Sequence, residues 1–211
     1  MANFTGFNPT QGKADIESMH SILEKANIDL YNALLIITAR IPEVWASPNA
    51  LEFGKTYGPK MTELKTTFGK NANVIQSNVI RAVQTMANEN GFGFFDETAD
   101  IYVSDYDQEN YKEEKDGIVG MNVAQVELYL STFDEKLNTF YQSFAQVEAL
   151  DIALYDPNGS LKAAFKSMLT QFENDLNETV TAMQNAIKAA METETNNIRL
   201  AKESAAETMA A

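Results

Sequence analysis

Cysteine is absent from the 211-residue chain, which excludes disulfides and thiolate metal sites. Histidine and tryptophan occur once each, as His20 and Trp45. A zinc site would have to rest on carboxylates around one imidazole, and spacing pairs His20 with no nucleophile. Cations are scarce: 16 Lys and Arg stand against 30 Asp and Glu, for a net charge of −14. Nucleic acid and anionic membrane surfaces both demand clustered Lys and Arg, so neither is an expected partner. No stretch approaches the roughly 20 apolar residues of a transmembrane helix. Met1 to Lys13 lacks a basic start followed by an apolar run, so it does not read as a Sec-type signal peptide. The sequence calls for no cofactor and shows no catalytic constellation.

What is present is apolar periodicity. Apolar residues make up 45% of the chain, ample for a core. Residues 1–14 hold two glycines and a proline without a period and read as an extended lead-in, with Asp15 capping the first helix. Ile16, Met19, Leu23, Ala26, Leu30, Ala33 and Ile37 then recur at alternating intervals of three and four, the stripe of a helix packed along a seam. Pro42 disfavours helical geometry before it, so that helix should end near Ile41. Ser47 followed by Pro48 is a helix-start pair. The second stripe runs Tyr57, Met61, Leu64, Phe68, Ala72, Ile75, Val79, Ala82 and Met86, and Gly58-Pro59 predicts a kink or late start. Asn88, Asn90 and Gly91 close it.

Residues 91–121 differ in kind. Gly91 to Phe95 is aromatic and glycine-rich, Ile101-Tyr102-Val103 could form a short strand, and acidic residues surround both. This is an acidic connector ordered in part by its aromatics. The third stripe is Val123, Val126, Leu130, Phe133, Leu137, Phe140, Phe144 and Val147. A second joint follows at Ala153 to Gly159, with Asp156 as cap and Pro157 in the first helical turn. The fourth stripe is Leu161, Phe165, Met168, Phe172, Leu176, Met183, Ile187 and Ala190, beyond which the period weakens into a fraying helical tail.

A shift of 107 positions lays Ile16 to Ile37 on Val123 to Phe144, and a shift of 104 lays Tyr57 to Ala72 on Leu161 to Leu176. The joints align as Ser47-Pro48-Asn49-Ala50 over Asp156-Pro157-Asn158-Gly159. The pattern reads as a duplicated helical hairpin: residues 1–90 the first, 91–121 the connector, 122–211 the second. A lone hairpin leaves much of each stripe wet, whereas two close a core, so the expected fold is an all-α antiparallel four-helix bundle packed as one domain.

A hairpin of about 100 residues that is acidic, cysteine-free and carries tryptophan at its turn resembles the WXG-motif family, the early-secreted-antigen-like substrates of type VII (ESX) secretion. The family's Trp-x-Gly falls on Trp45-Ala46-Ser47, with serine in the glycine position. The second joint has Leu154-Tyr155-Asp156 there, and Tyr102, Tyr106 and Tyr111 have an acid three residues on where the family's export signal has one four residues on. The resemblance implies a non-enzymatic secreted factor, or an escort of a secreted effector, acting through its helical surface as a monomeric pseudo-dimer or homo-oligomer. Its protein partner would be the secretion machinery or the effector. It also places recognition at Trp45, Ala46, Ser47 and Pro48, with Leu154, Tyr155, Asp156 and Pro157 as counterparts. Localisation would be secreted without a Sec signal, or cytoplasmic.

The residues leave alternatives open. Trp45 can equally plug the end of a core. Asp105, Asp107, Glu109 and Asp116 brush against a calcium-loop pattern, but Asn110 stands in its glycine position. The same bundle would serve as a structural subunit of a phage or cell-surface assembly, and Gly91 to Phe95 is the one candidate segment for a helical pore-former. The phenylalanines of the second hairpin fall on the seam and read as core.

Overall fold

The structure, a computed structural model, describes residues 7–94, 98–102, 110–117 and 119–210, with side chains up to 205. It is an all-α antiparallel bundle of four helices: α1 (Pro9–Leu35), α2 (Pro48–Glu89), α3 (Val123–Glu148) and α4 (Ser160–Ala210). A π-helical turn (Ile36–Arg40) and a 3₁₀ turn (Ile41–Glu43) extend α1, and β1 (Trp45–Ala46) pairs antiparallel with β2 (Gly120–Met121).

The chain forms two compact units, each drawing on all four helices. One comprises Met1–Tyr31, Leu64–Ser104 and Leu137–Asn174; the other comprises Asn32–Glu63, Asp105–Lys136 and Asp175–Ala211. In the first, a Cβ on Gly12 would meet Val83 while His20 bonds Gln76, so numbers rise along α1 as they fall along α2. Its core centres on Phe68 of α2, Phe140 and Phe144 of α3, and Phe172 of α4. All four rings are buried, and the centroid separations are 5.1 Å for Phe68–Phe172 and 5.5 Å for both Phe68–Phe140 and Phe140–Phe144. Such tilted and edge-on contacts add to the burial of large apolar side chains.

The same unit holds residues 99–102 of the connector by side-chain amides. Asn73 acts as a strand partner: its Oδ1 accepts from the Ile101 N–H at 2.7 Å and its Nδ2 donates to the Ile101 carbonyl at 3.0 Å. Gln76 Nε2 donates to the Ala99 carbonyl, and Asn27 Nδ2 donates to that of Tyr102, both at 2.8 Å. Ile101 is thereby buried with its backbone satisfied. The expected strand is thus an extended segment held by amides; Val103 lies outside the described residues.

In the second unit the core is built from Ile37, Trp45, Phe53, Met61, Phe133, Met183 and Ile187, all buried. Gln184 on α4 donates to Asp134 on α3 at 2.6 Å, and Tyr57 Oη donates to the Ala182 carbonyl at 3.3 Å.

Several boundaries differ from the sequence expectation. α1 begins at Pro9, because Asn8 Oδ1 accepts from the Thr10 and Gln11 amides. Asp15 is therefore no cap and is free to accept from Tyr155 Oη. Helical structure passes Pro42, which falls at the start of the 3₁₀ turn, a position whose N–H the 3₁₀ turn itself does not use. α2 starts at Pro48 without delay and runs through Pro59. A cavity of about 280 Å³ bounded by Lys55, Gly58 and Pro59 lies beside the missing bond, where water can replace the lost donor. Pro157 precedes α4, in the turn closed by the Gly159 N–H on the Asp156 carbonyl. Val83 and Ala87 are buried while Ala82 and Met86 are partly exposed, and Leu169 is buried where Met168 is partly exposed. A straight helix drifts against a strict seven-residue repeat, so long stripes slip by one residue. The expected fraying tail is helix through Ala210.

Phe140→Ala should destabilise the protein by about 3–5 kcal/mol in chemical denaturation. A loss within about 0.5 kcal/mol would place the ring at the surface.

Candidate functional site

The joint between α1 and α2 runs from a π turn (Ile36–Arg40) through a 3₁₀ turn (Ile41–Glu43) into β1 (Trp45–Ala46). In the π turn, the Ile41 N–H goes to the Ile36 carbonyl. The Ile37 carbonyl would need its donor from residue 42, and Pro42 has none. Tyr111 supplies it: its buried hydroxyl donates to the Ile37 carbonyl at 2.7 Å. Burial raises the Tyr111 phenol well above its ordinary range, so it stays a donor.

Trp45 follows, 1% exposed. Its ring sits 5.3 Å from Phe53 and 5.7 Å, edge-on, from Tyr111. The indole N–H donates to Ser47 Oγ at 3.0 Å, and the same oxygen accepts from the Ala50 amide at 3.1 Å, capping α2. The Ser47 N–H donates to the Lys112 carbonyl, and the Val44 carbonyl accepts from Asn122, whose Oδ1 in turn caps α3 through Gln125. Trp45 pairs with Met121 and Ala46 with Gly120. One turn therefore fixes the starts of two helices and holds both ends of the 112–122 segment. Gly54 completes the fit, since a Cβ there would lie 2.7 Å from the Tyr111 Cβ.

Against this turn lies a cleft of about 680 Å³. Trp45, Ala46 and Met121 form its back; Val119, 61% exposed, and Ile198 of α4, 47% exposed, stand on its lips. Its charges are Glu43, Asp116 and Glu194 against Lys115, whose ammonium donates to the Glu43 carbonyl. The cleft is apolar at the back and acidic at the rim. Trp45 is consequently a wall of the site and not a projecting side chain, and Pro48 serves as the first residue of α2.

At the second joint Leu154 is 58% exposed, while Tyr155 is buried and donates to Asp15 Oδ2 at 2.6 Å. Burial and then the Asp15 carboxylate raise the Tyr155 phenol. Asp156 accepts from the Lys162 amide at 2.8 Å and from Ser160 Oγ; these bonds, the Lys162 amide first, hold its carboxyl below the usual range. The joints are built differently, one around a buried indole and a ribbon, the other around a carboxylate and a turn, and they belong to different units.

Of the calcium-loop residues, Asp105, Asp107 and Glu109 lie outside the described residues. Asp116 occupies a turn with φ of 55° beside the cleft. Among the described residues, no group of three acids or imidazoles could hold a metal ion. His20 Nδ1 lies 2.7 Å from Gln76 Oε1. Because Gln76 Nε2 already donates to Ala99, the ring nitrogen is the donor, and His20 braces the amide that holds the connector.

Sequence reasoning missed Tyr111, Asn122 and the face of α4 that carries Ile198. Tyr111 is the last of three tyrosines in an acidic stretch, with Tyr102 and Tyr106 before it, and that aromatic run was the available signal for the first. Compared with protein-family models, curated proteins and solved structures, the chain matches none.

Ser47→Ala removes a helix cap and leaves a buried indole N–H unpaired, so denaturation should show a loss of about 2 kcal/mol or more; an unchanged midpoint would contradict the arrangement. The raised phenols of Tyr111 and Tyr155 set an alkaline limit. Unfolded tyrosines ionise near their ordinary value of 10.0, so stability holds below that pH and falls above it as only the unfolded state releases protons. Tyr111→Phe should flatten this alkaline arm in a titration of unfolding free energy. An arm that is equally steep in the variant would contradict the assignment.

Proposed function

We propose that the chain is a non-enzymatic helical binding protein of WXG-like type, a secreted factor or an escort of a type VII effector. It engages its protein partner at the cleft beside the Trp45 turn. The observation that carries this reading is the cleft itself: a wall fixed by Trp45, Ser47 and Tyr111, with the exposed apolar lips Val119 and Ile198. A rigid back cuts the entropy lost on association, and exposed apolar groups rimmed by charge suit protein contact. With Glu43, Asp116 and Glu194 outnumbering Lys115, the complementary partner segment is apolar with flanking Lys or Arg. Tyr111 is occupied as a structural donor, so the partner would have to bring any tyrosine-acid export signal.

A photo-crosslinker placed at Val119 or Ile198 in the producing cell should trap one partner through a segment bearing basic residues, and Ile198→Glu should reduce complex recovery at least about tenfold, the scale of a truncated interface anchor. Deleting the membrane ATPase of the secretion system should abolish export of the complex. Crosslinks scattered over unrelated proteins would overturn the reading, and regular polymers of the purified chain would favour the structural-subunit alternative.

A further inference from the structure

The unit that contains Leu137–Asn174 has a pocket of its own, about 330 Å³, unrelated to the Trp45 turn. Ile75 of α2, Val147 of α3, Ile152 of the second joint, and Phe165 and Leu169 of α4 line it, and all five are largely buried. The volume is far beyond a packing gap, since a water occupies about 30 Å³, and it sits at the lower end of the roughly 300–1,000 Å³ of small-molecule sites. A chain of methylenes against these apolar walls would make many dispersion contacts.

The rim of the pocket is charged. Lys162 and Lys166 stand one helical turn apart on α4 and both border the pocket, opposed by the single acid Glu148. Among the described residues neither lysine forms an ion pair. In a chain of net charge −14, two uncommitted cations over an apolar cavity are a local reversal of sign. The start of α4 is not the attraction, because Asp156 already accepts the Lys162 amide. The available positive charge is on the two side-chain ammoniums.

We propose that this pocket binds a small amphiphilic anion, a medium-chain carboxylate whose chain lies against Ile75, Ile152 and Phe165 and whose head group is held by Lys162 and Lys166. Charge-assisted hydrogen bonds to the ammoniums set the head, and burial of methylenes sets the affinity. The site would let the protein respond to or carry an acyl ligand independently of any partner at the Trp45 turn.

Calorimetric titration of the full chain with sodium decanoate below its micelle concentration tests this. Saturable binding of one equivalent is expected, with octanoate about tenfold weaker, as the loss of two buried methylenes implies. Decanol and decyltrimethylammonium should bind at least about tenfold more weakly, as should decanoate to the double variant Lys162→Gln/Lys166→Gln. Both lysines are exposed, so the variant should keep the helical spectrum and melting midpoint of the parent. The absence of a binding isotherm would overturn the proposal. So would equal affinity for the cationic or neutral amphiphile, or undiminished affinity in the double variant.

Discussion

Ser47 Oγ accepts two hydrogen bonds at once, from the Trp45 indole and from the Ala50 amide, and much of the second unit depends on that oxygen. The first bond lets a large polar-tipped ring be buried without an orphaned donor; the second starts α2. Because Ser47 also donates its backbone N–H to Lys112, and Val44 accepts from Asn122, the turn from Val44 to Ser47 also holds Lys112 and the residue that caps α3. Tyr111 closes the arrangement by satisfying the Ile37 carbonyl, which Pro42 leaves without a helical donor. The irregular turn thus rests on two sequence features, Pro42, which cannot donate to Ile37, and Ser47, two residues beyond Trp45.

The other unit rests on a different balance. Phe68, Phe140, Phe144 and Phe172 supply the apolar burial, and Asn27, Asn73 and Gln76 convert helix surface into hydrogen-bonding edge for residues 99–102. A buried extended segment would otherwise carry unmet backbone groups. Its pocket, with Lys162 and Lys166 at the rim, lies elsewhere, among α2, the end of α3, the second joint and α4. The two joints, aligned in sequence, are not equivalent in space: one is a cleft wall, the other a carboxylate-capped turn.

The fold was legible because burial imposes a period: most of the seam positions from Ile16 to Ile187 are buried as expected, while Tyr57, Ala82, Met86, Val123, Leu161 and Met168 are partly exposed. What slipped was register over long helices, as at Val83 and Leu169, and the helix starts at Pro9 and Ser160, where a short polar side chain decides which residue caps. Ser47-Pro48 was readable because both halves of the start signal are adjacent. The cleft was only half legible. Trp45 stood out by its rarity, but Tyr111, Met121 and Ile198 come to it from distant parts of the sequence, and no local pattern announces them. Gly54 is in the same position: only the Tyr111 ring against it explains the absence of a side chain.

Trp45 is a buried structural wall whose indole is committed within its own turn. As the only tryptophan in the chain, it reports on itself by fluorescence. The native protein should emit at the blue end of the tryptophan range and resist collisional quenching by acrylamide and iodide, and its emission should move to the red only together with the loss of helical circular dichroism. Red-shifted, freely quenched emission from a fully helical protein would contradict the account.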